Sequence, residues 1–440
     1  MYFFERNEAY KDRIACIDDA GQSYTYEQLW DMGDALTEGV RQRTVVLLEC
    51  SNDVESVAKY LAYLRRRCPV ILIGKNVEAS LVDAMRATYV QDTGDDAQHH
   101  GDATPDVAPD LALLLSTSGS IGAQKLVRLS YDNLQSNCDA IVEYLGLTDR
   151  ERPITTLPME YTYGLSVIHS HLAVGATIIL TNKTLFDAGF WDMVERYEVT
   201  SMAGVPYTYA MFERLRLTQM DLPHLKTLTQ AGGHLSPELQ EKYARWAEET
   251  GRRFFVMYGQ TEATARMSYL PPERCLEKPG SIGIPIPGGR LELENDGELV
   301  YYGPNVSLGY ATCREDLARP DEHHGRLETG DIGYKDEEGY FYITGRKKRF
   351  IKLQGKRIGL DHVQETLQEN FAWDDIVCTG VDDKGLTVWT TKELDEEKVR
   401  TLFEEKMGIR GRMVAIRVID AIPRNPSGKV VYKDLKGEES

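Results

Sequence analysis

The residues best suited to chemistry lie in one loop, Thr117 to Lys125, which reads TSGSIGAQK. The apolar residues before it, Leu111 to Leu115, are typical of a fully buried strand. Gly119 and Gly122 allow the backbone to turn its N–H groups toward an anion, because no Cβ stands in the way. Further donors are the hydroxyl and ammonium groups of Ser116, Thr117, Ser118, Ser120 and Lys125. The pattern predicts a strand that leads into a polyphosphate-binding loop.

This loop differs from a Walker loop at two positions. Gln124 stands where a glycine should precede the lysine, and Leu126 stands where Ser or Thr would bind magnesium. A flexible surface loop is the alternative interpretation, and composition alone favours neither.

Length and charge restrict the class of protein. A chain of 440 residues predicts two or three domains, and 42% hydrophobic with 27% charged residues is typical of a soluble globular protein. The formal net charge of −18 would repel the phosphate backbone of a nucleic acid. We therefore expect a small-molecule substrate and no nucleic-acid partner.

The cysteines and the N-terminus predict a cytoplasmic protein. Seven cysteines, an odd number without CxxC spacing, indicate neither a zinc site nor a disulfide framework. The N-terminus MYFFERNEAYKDR is too charged for a secretory signal, and no run approaches the roughly 18 apolar residues that span a bilayer. We expect no membrane association.

The elements that must position the loop follow an α/β order. A strand at 44–50, a helix at 53–67 and a strand at 69–74 predict a βαβ unit and a parallel sheet. Further α/β units are predicted after the loop. Their helices are one at 130–144, capped by Ser130, and one that ends near residue 249, and their strands lie at 175–181, 201–206 and 253–264. Shorter strands among the Gly- and Pro-rich segments that follow predict a small antiparallel sheet or barrel.

A change of character near residue 346 predicts a second domain. The basic run RKKR begins there, and helices at 360–370 and 395–407 alternate with strands at 376–380, 386–391 and 414–418. We therefore predict a large α/β N-terminal domain at 1–346 and a small α+β C-terminal domain at 347–440.

Four separated segments resemble one family, the adenylate-forming (AMP-binding) enzymes, which include acyl-CoA synthetases, peptide-synthetase adenylation domains and luciferases. Thr117 to Lys125 is similar to the family's TSGSTGxPK loop, and Tyr258 to Glu262 reads YGQTE. TGDIGY from Thr329, with the later Gly345–Arg346 pair, is similar to the ribose-binding segments, and PRNPSGK from Pro423 is similar to the catalytic-lysine loop. Four such matches in order make chance an improbable explanation.

The resemblance implies ATP-dependent activation of a carboxylic acid to an acyl-adenylate, followed by transfer to a pantetheine thiol. It assigns Tyr258 to stacking on adenine, Gly259 to nucleotide binding, Thr261 to the α-phosphate, and Glu262 to Mg²⁺, which prefers oxygen ligands. Asp331 would bind the ribose with Arg346 nearby, and Lys429 would be the mobile catalytic lysine. The implied cofactors are ATP, Mg²⁺ and coenzyme A or a phosphopantetheine carrier protein.

The same resemblance implies an acyl pocket. Its lining is predicted to comprise Tyr161, Tyr163, Gly164, His169, Gly204, Gly232, Gly233 and His234, with the two glycines of the QAGGHL segment also approached by the nucleotide. This lining suggests an aryl or modest-sized acid. Tyr161 stands where amino-acid-activating members carry an aspartate for the α-ammonium group, which predicts that α-amino acids are poor substrates. Glu160, one residue away, is the alternative counter-ion.

Some matters stay open in the sequence. Lys348 matches the family's hinge position, whereas the basic run around it could equally be a solvated linker. The acceptor could be coenzyme A or a carrier protein, and a non-catalytic acyl- or nucleotide-binding module is the alternative of another class. RIGLDHVQ from Arg357 departs from the family's RIELxEIE, which affects the packing and partner surface of the small domain.

Lys429→Ala tests the implied mobile lysine. An ammonium group that stabilises the developing charge on the α-phosphate should be worth about 10²–10³ in adenylation rate. Thioester formation from supplied acyl-adenylate should be nearly unchanged, because the lysine then lies away from the site. Rates of the two half-reactions, measured separately, check this; equal losses in both steps, or none in either, would contradict it.

Overall fold

The structure is a computed structural model that describes residues 1–90, 107–116, 125–353, 356–371, 373, 375–407, 409–424 and 430–435. The chain divides into two compact units, which we call the first and the second unit. The first unit comprises Met1–Leu291 and Tyr301–Leu327, and the second comprises Glu292–Val300 and Glu328–Ser440. The functional boundary expected between residues 346 and 347 stays a prediction.

The helices and strands are numbered in chain order. The helices are α1 Tyr26–Leu36, α2 Val54–Arg65, α3 Ala79–Tyr89, α4 Tyr131–Leu145, α5 Thr162–Ala173, α6 Ala188–Arg196, α7 Pro206–Leu215, α8 Pro237–Glu249, α9 Leu360–Phe371 and α10 Glu396–Leu402. The strands up to residue 285 are β1 Ile14–Ile17, β2 Ser23–Thr25, β3 Val46–Cys50, β4 Val70–Gly74, β5 Leu111–Ser116, β6 Leu126–Ser130, β7 Pro153–Ile154, β8 Ile178–Ile179, β9 Ser201–Gly204, β10 Thr227–Gln230, β11 Arg253–Tyr258, β12 Ser268–Leu270 and β13 Ser281–Pro285. Those that follow are β14 Arg290–Leu293, β15 Glu298–Tyr302, β16 Gly309–Ala311, β17 Arg326–Lys335, β18 Phe341–Arg346, β19 Phe350–Leu353, β20 Lys356–Gly359, β21 Ile376–Val381, β22 Gly385–Thr390 and β23 Val414–Val418.

Two sheets organise the first unit. In the larger one the parallel strands β9, β10 and β11 lie side by side, with Thr229 opposite Ala203 on one side and Phe255 on the other. The smaller sheet has the order β16-β6-β5-β4-β3, and β3, β4 and β5 are parallel. The α/β fold class is confirmed, including the βαβ unit of β3, α2 and β4.

The segment after the predicted phosphate loop forms a strand that the sequence analysis does not predict. Strand β6 pairs antiparallel with β5, with Ser116 opposite Leu126, so a strand separates the loop from α4. The sequence hides this strand because Arg128 interrupts its apolar pattern. Arg128 is fully buried and paired with Glu322 at 2.7 Å. Ser130 caps α4 as predicted, since its hydroxyl accepts from the Asn133 N–H at 2.9 Å.

Helix α5 carries much of the predicted site and is buried on nearly every side. Ten of its twelve residues are buried, including several polar ones. The polar groups bond within the helix: the Ser166 hydroxyl donates to the Tyr163 carbonyl at 2.7 Å, and the Ser170 hydroxyl donates to the Ser166 carbonyl at 2.9 Å. A helix buried all round presents its first turn rigidly to whatever lies beyond it.

The second unit is α+β, as predicted. Strands β21, β22 and β23 form a sheet on which α9 and α10 pack around a core of apolar side chains. The helix predicted at 395–407 is divided in two: α10 ends at Leu402, and a π-helical turn follows from Phe403 to Met407. In neither unit does any helix among the described residues have the length and apolar character needed to cross a membrane.

Candidate active site

The YGQTE motif and helix α5 meet through one hydrogen bond in the first unit. Strand β11 ends at Tyr258, and a short 3₁₀ turn carries Thr261 and Glu262. The Thr261 hydroxyl lies 3.0 Å from the Thr162 hydroxyl, in the first turn of α5. The predicted α-phosphate residue and the predicted acyl-pocket helix are therefore neighbours.

Tyr310 of β16 connects the predicted metal ligand to the predicted phosphate lysine. Its hydroxyl donates to Glu262 Oε1 at 3.0 Å, and Lys125 Nζ lies 3.2 Å from the centre of its ring. Burial, with the neighbouring Glu262 carboxylate, raises the pKa of Tyr310, which keeps the phenol protonated. A carboxylate and an ammonium group are thus held on one aromatic side chain.

His323 and Ser307 complete this edge of the site. The Ser307 hydroxyl lies 3.0 Å from His323 Nδ1, and the His323 ring meets the Tyr310 ring edge-on at 5.7 Å. Burial lowers the pKa of His323. No motif marks these residues or Tyr310, because their contacts with the YGQTE segment join positions more than 40 residues apart in the chain.

The donor set fits a magnesium ion that is completed by substrate. Among the described residues no group of three or more His, Cys, Asp or Glu side chains could hold a metal alone. Mg²⁺ is usually bound by one or two carboxylates together with substrate phosphates and waters. Glu262, which shares Tyr310 with the cation Lys125, would supply one such carboxylate.

A strained turn follows the motif and is clamped by Asn305. Thr264 and Ala265 have φ values of 56° and 109°, where side chains other than glycine are strained by about 1–3 kcal/mol each. Asn305 Nδ2 donates to the backbone carbonyls of Ala263 and Arg266, both at 2.8 Å. The backbone carbonyl of Asn305 accepts from the Thr264 hydroxyl at 2.6 Å.

Gly259 is required by the same turn. A Cβ at this position would lie 1.7 Å from the Ala265 carbonyl oxygen, so only glycine fits. Glycine is required at this position because the Ala265 backbone passes so close to it. The nucleotide contact predicted for Gly259 stays a prediction.

Tyr161, Tyr163 and Gly232 of the predicted acyl pocket come together. The two tyrosine rings meet edge-on with centroids 6.4 Å apart, and the Tyr163 hydroxyl lies 2.7 Å from the Thr229 hydroxyl. Gly232 has a φ of 83°, and a Cβ there would lie 2.5 Å from the Tyr161 hydroxyl. Gly233 and His234 follow as exposed residues on the same segment.

Three other residues of the predicted pocket are packed closely against neighbouring groups. His169 is buried between the rings of Phe3 and Tyr60, and its Nε2 lies 2.9 Å from the Tyr60 hydroxyl. Burial lowers the pKa of His169 to about 3, so it stays neutral. A Cβ at Gly164 would lie 2.3 Å from the Pro158 carbonyl, and one at Gly204 would lie 2.9 Å from the Tyr209 ring. The pocket roles predicted for His169, Gly164 and Gly204 stay predictions.

In the second unit, Asp331 and Arg346 lie opposite each other on β17 and β18. Arg346 Nε is 3.1 Å from the Asp331 carboxylate, which is buried. Beside them Lys347 contacts Asp296 at 2.9 Å and Glu298 at 2.6 Å, and these partners raise its pKa. The predicted hinge residue, Lys348, lies in the 3₁₀ turn that follows β18.

Several predicted residues lie outside the described residues. They are Thr117, Ser118, Gly119, Ser120, Gly122 and Lys429. Their roles stay predictions.

Comparison with known proteins identifies the family. A family model described as AMP-binding enzyme matches residues 74–311, which is more than half of the chain. The chain belongs to the AMP-binding enzyme family. The predicted resemblance to adenylate-forming enzymes is therefore confirmed.

Relatives of this AMP-binding enzyme include coenzyme A ligases. Peroxisomal OPC-8:0-CoA ligase 1 of Arabidopsis thaliana is 26% identical, over 98% of this chain and 92% of its own. The 2-succinylbenzoate–CoA ligase of Bacillus subtilis (strain 168) is 27% identical, over 74% and 68%. The structure of o-succinylbenzoate CoA synthetase from Bacillus subtilis with its acyl-adenylate intermediate has a TM-score of 0.80 at 22% identity, over 97% of this chain and 96% of its own. This last likeness confirms the fold.

Glu262→Gln tests the magnesium ligand. The change conserves volume but removes the anionic oxygen, so adenylation at limiting Mg²⁺ should fall at least about tenfold while the thermal unfolding midpoint stays unchanged. Glu241→Gln, on the exposed face of α8, is the matched control and should titrate with Mg²⁺ as the wild type does. A wild-type Mg²⁺ dependence in Glu262→Gln would contradict the assignment.

Proposed function

We propose that this protein is an AMP-forming acid–thiol ligase, which activates a small carboxylic acid with ATP and passes the acyl group to coenzyme A. The observation that carries the proposal is the convergence of Glu262 and Lys125 on Tyr310, with Thr261 on the same turn as Glu262. A carboxylate for Mg²⁺ and a cation for phosphate, fixed together, suit the chemistry of a nucleoside triphosphate.

In the first half-reaction a carboxylate oxygen of the acid attacks the α-phosphorus of ATP. A new P–O bond forms, the bond to the bridging oxygen breaks, and pyrophosphate leaves. Lys125 and the Thr261 hydroxyl would stabilise negative charge on the phosphoryl oxygens, while Tyr310 holds the Glu262 carboxylate in place. Magnesium, held by Glu262 and the phosphates, would neutralise part of that charge.

In the second half-reaction a thiolate attacks the acyl carbon, the C–O bond breaks, and AMP leaves. We propose that Lys429 serves the first step only, and that Lys348 is the hinge about which residues 347–440 turn between the steps. Asp331, held by Arg346, would accept hydrogen bonds from the ribose hydroxyls.

Coenzyme A is the acceptor that we favour over a carrier protein. The similar proteins named above are coenzyme A ligases, as is the oxalate–CoA ligase of Arabidopsis thaliana, which is 26% identical over 89% of this chain. The cationic side chains from Arg346 to Lys352 suit phosphates of coenzyme A as well as an acidic carrier. The seven free cysteines suit a cytoplasmic setting.

The acid is proposed to be aryl or modest in size and not an α-amino acid. Tyr161 offers no negative charge to an ammonium group. Burial raises the pKa of the neighbouring Glu160, which favours its neutral form and makes it a poor counter-ion.

ATP–pyrophosphate exchange against a panel of acids tests the proposal. At least one aryl or short aliphatic acid should support exchange, and adding coenzyme A should convert ATP to AMP with formation of a thioester. Zwitterionic amino acids should be at least about tenfold weaker, because their ammonium group would be buried without a partner. Strongest exchange with an amino acid would overturn the substrate class, and thioester formation only with a carrier protein would overturn the acceptor.

A further inference from the structure

We propose that Arg266 binds a second carboxylate on the acyl substrate, so that the preferred acid is a dicarboxylic acid that reacts at one end and is anchored at the other. The inference rests on the proposed function and names the substrate class of the same site.

Arg266 differs from the other buried arginine of the first unit in its lack of an acidic partner. Among the described residues of that unit, Arg128 and Arg266 are the buried arginines, with exposed fractions of 0% and 3%. Arg128 contacts Glu322 at 2.7 Å and donates to three backbone carbonyls. Within the described chain no carboxylate lies within 4.0 Å of Arg266, and its Nε is buried without a hydrogen-bond partner. A buried guanidinium of this kind is costly unless an anion joins it.

The position of Arg266 places this cation on the wall of the acyl pocket. Its guanidinium carbon lies 3.9 Å from the centre of the Tyr163 ring, and Tyr163 in turn contacts Tyr161. The ring face attracts the cation but offers no lone pair to Nε. Thr162, next to Tyr163, is bonded to Thr261 of the YGQTE motif. Arg266 and Thr261 therefore contact adjacent residues of α5.

The backbone holds Arg266 in this position at the expense of local strain. Its carbonyl accepts from Asn305 at 2.8 Å and from Asn137 at 3.0 Å. Thr264 and Ala265, the two residues before it, have positive φ values. Strain that is fixed by surrounding hydrogen bonds is concentrated at functional sites in proteins.

A small, mostly apolar cavity lies beside Arg266. Arg266 and Tyr163 line it, and its volume is about 30 Å³. His171 lines the same cavity, and its Nε2 has no hydrogen-bond partner because Nδ1 bonds the Val167 carbonyl. Glu151 also lines it, but this carboxylate accepts from the Thr200 hydroxyl and forms no ion pair with Arg266. The unpartnered Nε of Arg266 is therefore left unsatisfied when the site holds an apolar acyl chain.

A carboxylate is the anion that this site fits. The planar guanidinium matches the two oxygens of a carboxylate, and the phosphates of ATP are accounted for by Lys125 and Thr261. A site built around such a donor discriminates strongly against a substrate that lacks the acceptor, because the buried cation is then left unpaired.

Matched pairs of acids test the proposal with the wild-type protein. The pairs are hexanoate with adipate, octanoate with suberate, and benzoylpropionate with its ortho-carboxylated form, 2-succinylbenzoate. For at least one pair, kcat/KM for adenylation should be about tenfold or more higher with the dicarboxylic acid. A preference for the monocarboxylic acid in every pair would overturn the inference while leaving the ligase function intact. Failure of every acid to support pyrophosphate exchange would instead remove the proposed function.

Variants of Arg266 then assign the preference to the guanidinium. Arg266→Met keeps most of the aliphatic stem and should abolish the diacid preference through the diacid's KM, while Arg266→Lys should restore part of it. Arg253→Met is the matched control: Arg253 donates to the Leu145 carbonyl and the Thr227 hydroxyl beside the same cavity, so its loss should affect stability but not the ratio. Equal losses with both acids in folded Arg266→Met would place Arg266 on the reacting carboxylate or in fold support, and would overturn the inference.

Discussion

The site depends on one buried side chain, Asn305, which holds the turn after the YGQTE motif in a conformation that the turn would not adopt alone. Every polar atom of the Asn305 amide is used: it donates to the Ala263 and Arg266 carbonyls and accepts from the Tyr301 hydroxyl. Two adjacent residues with positive φ cost together about 2–6 kcal/mol, which is comparable with several buried hydrogen bonds. The turn can therefore exist only while this network is intact.

The network has a direct consequence for chemistry. By fixing the backbone on both sides of Ala263, it sets Glu262 against Tyr310 on one side and Arg266 against Tyr163 on the other. The Ser307 N–H also donates to the Glu262 carbonyl at 2.8 Å, so the segment that contains Asn305 also fixes the backbone of Glu262, the proposed metal ligand. Positioning of this kind reduces the reorganisation needed when charge develops on the phosphoryl group.

The sequence predicted the parts of this arrangement that are local and missed those that are tertiary. The buried runs of β3, β4 and β5 and the Ser130 cap depend on residues close in the chain, and each agrees with its prediction. The strand predicted at 253–264 is wrong beyond Tyr258, where the turn of the YGQTE motif begins. Strand β6 was missed because Arg128 interrupts it, although Glu322, far along the chain, makes that arginine acceptable in the interior. Tyr310, Asn305 and Arg266 carry no local signal. No sequence pattern shows that His169 has Tyr60, 109 residues away, as its hydrogen-bond partner.

In the proposed reaction a carboxylate oxygen attacks the α-phosphorus of ATP, and an isotope experiment follows that oxygen to the products. With the carboxylate of an accepted acid labelled with ¹⁸O and coenzyme A present, mass spectrometry of the products follows that oxygen. Attack at the α-phosphorus followed by cleavage of the C–O bond leaves one labelled oxygen in AMP and none in pyrophosphate. Label in pyrophosphate or orthophosphate, or unlabelled AMP from a productive turnover, would contradict the account.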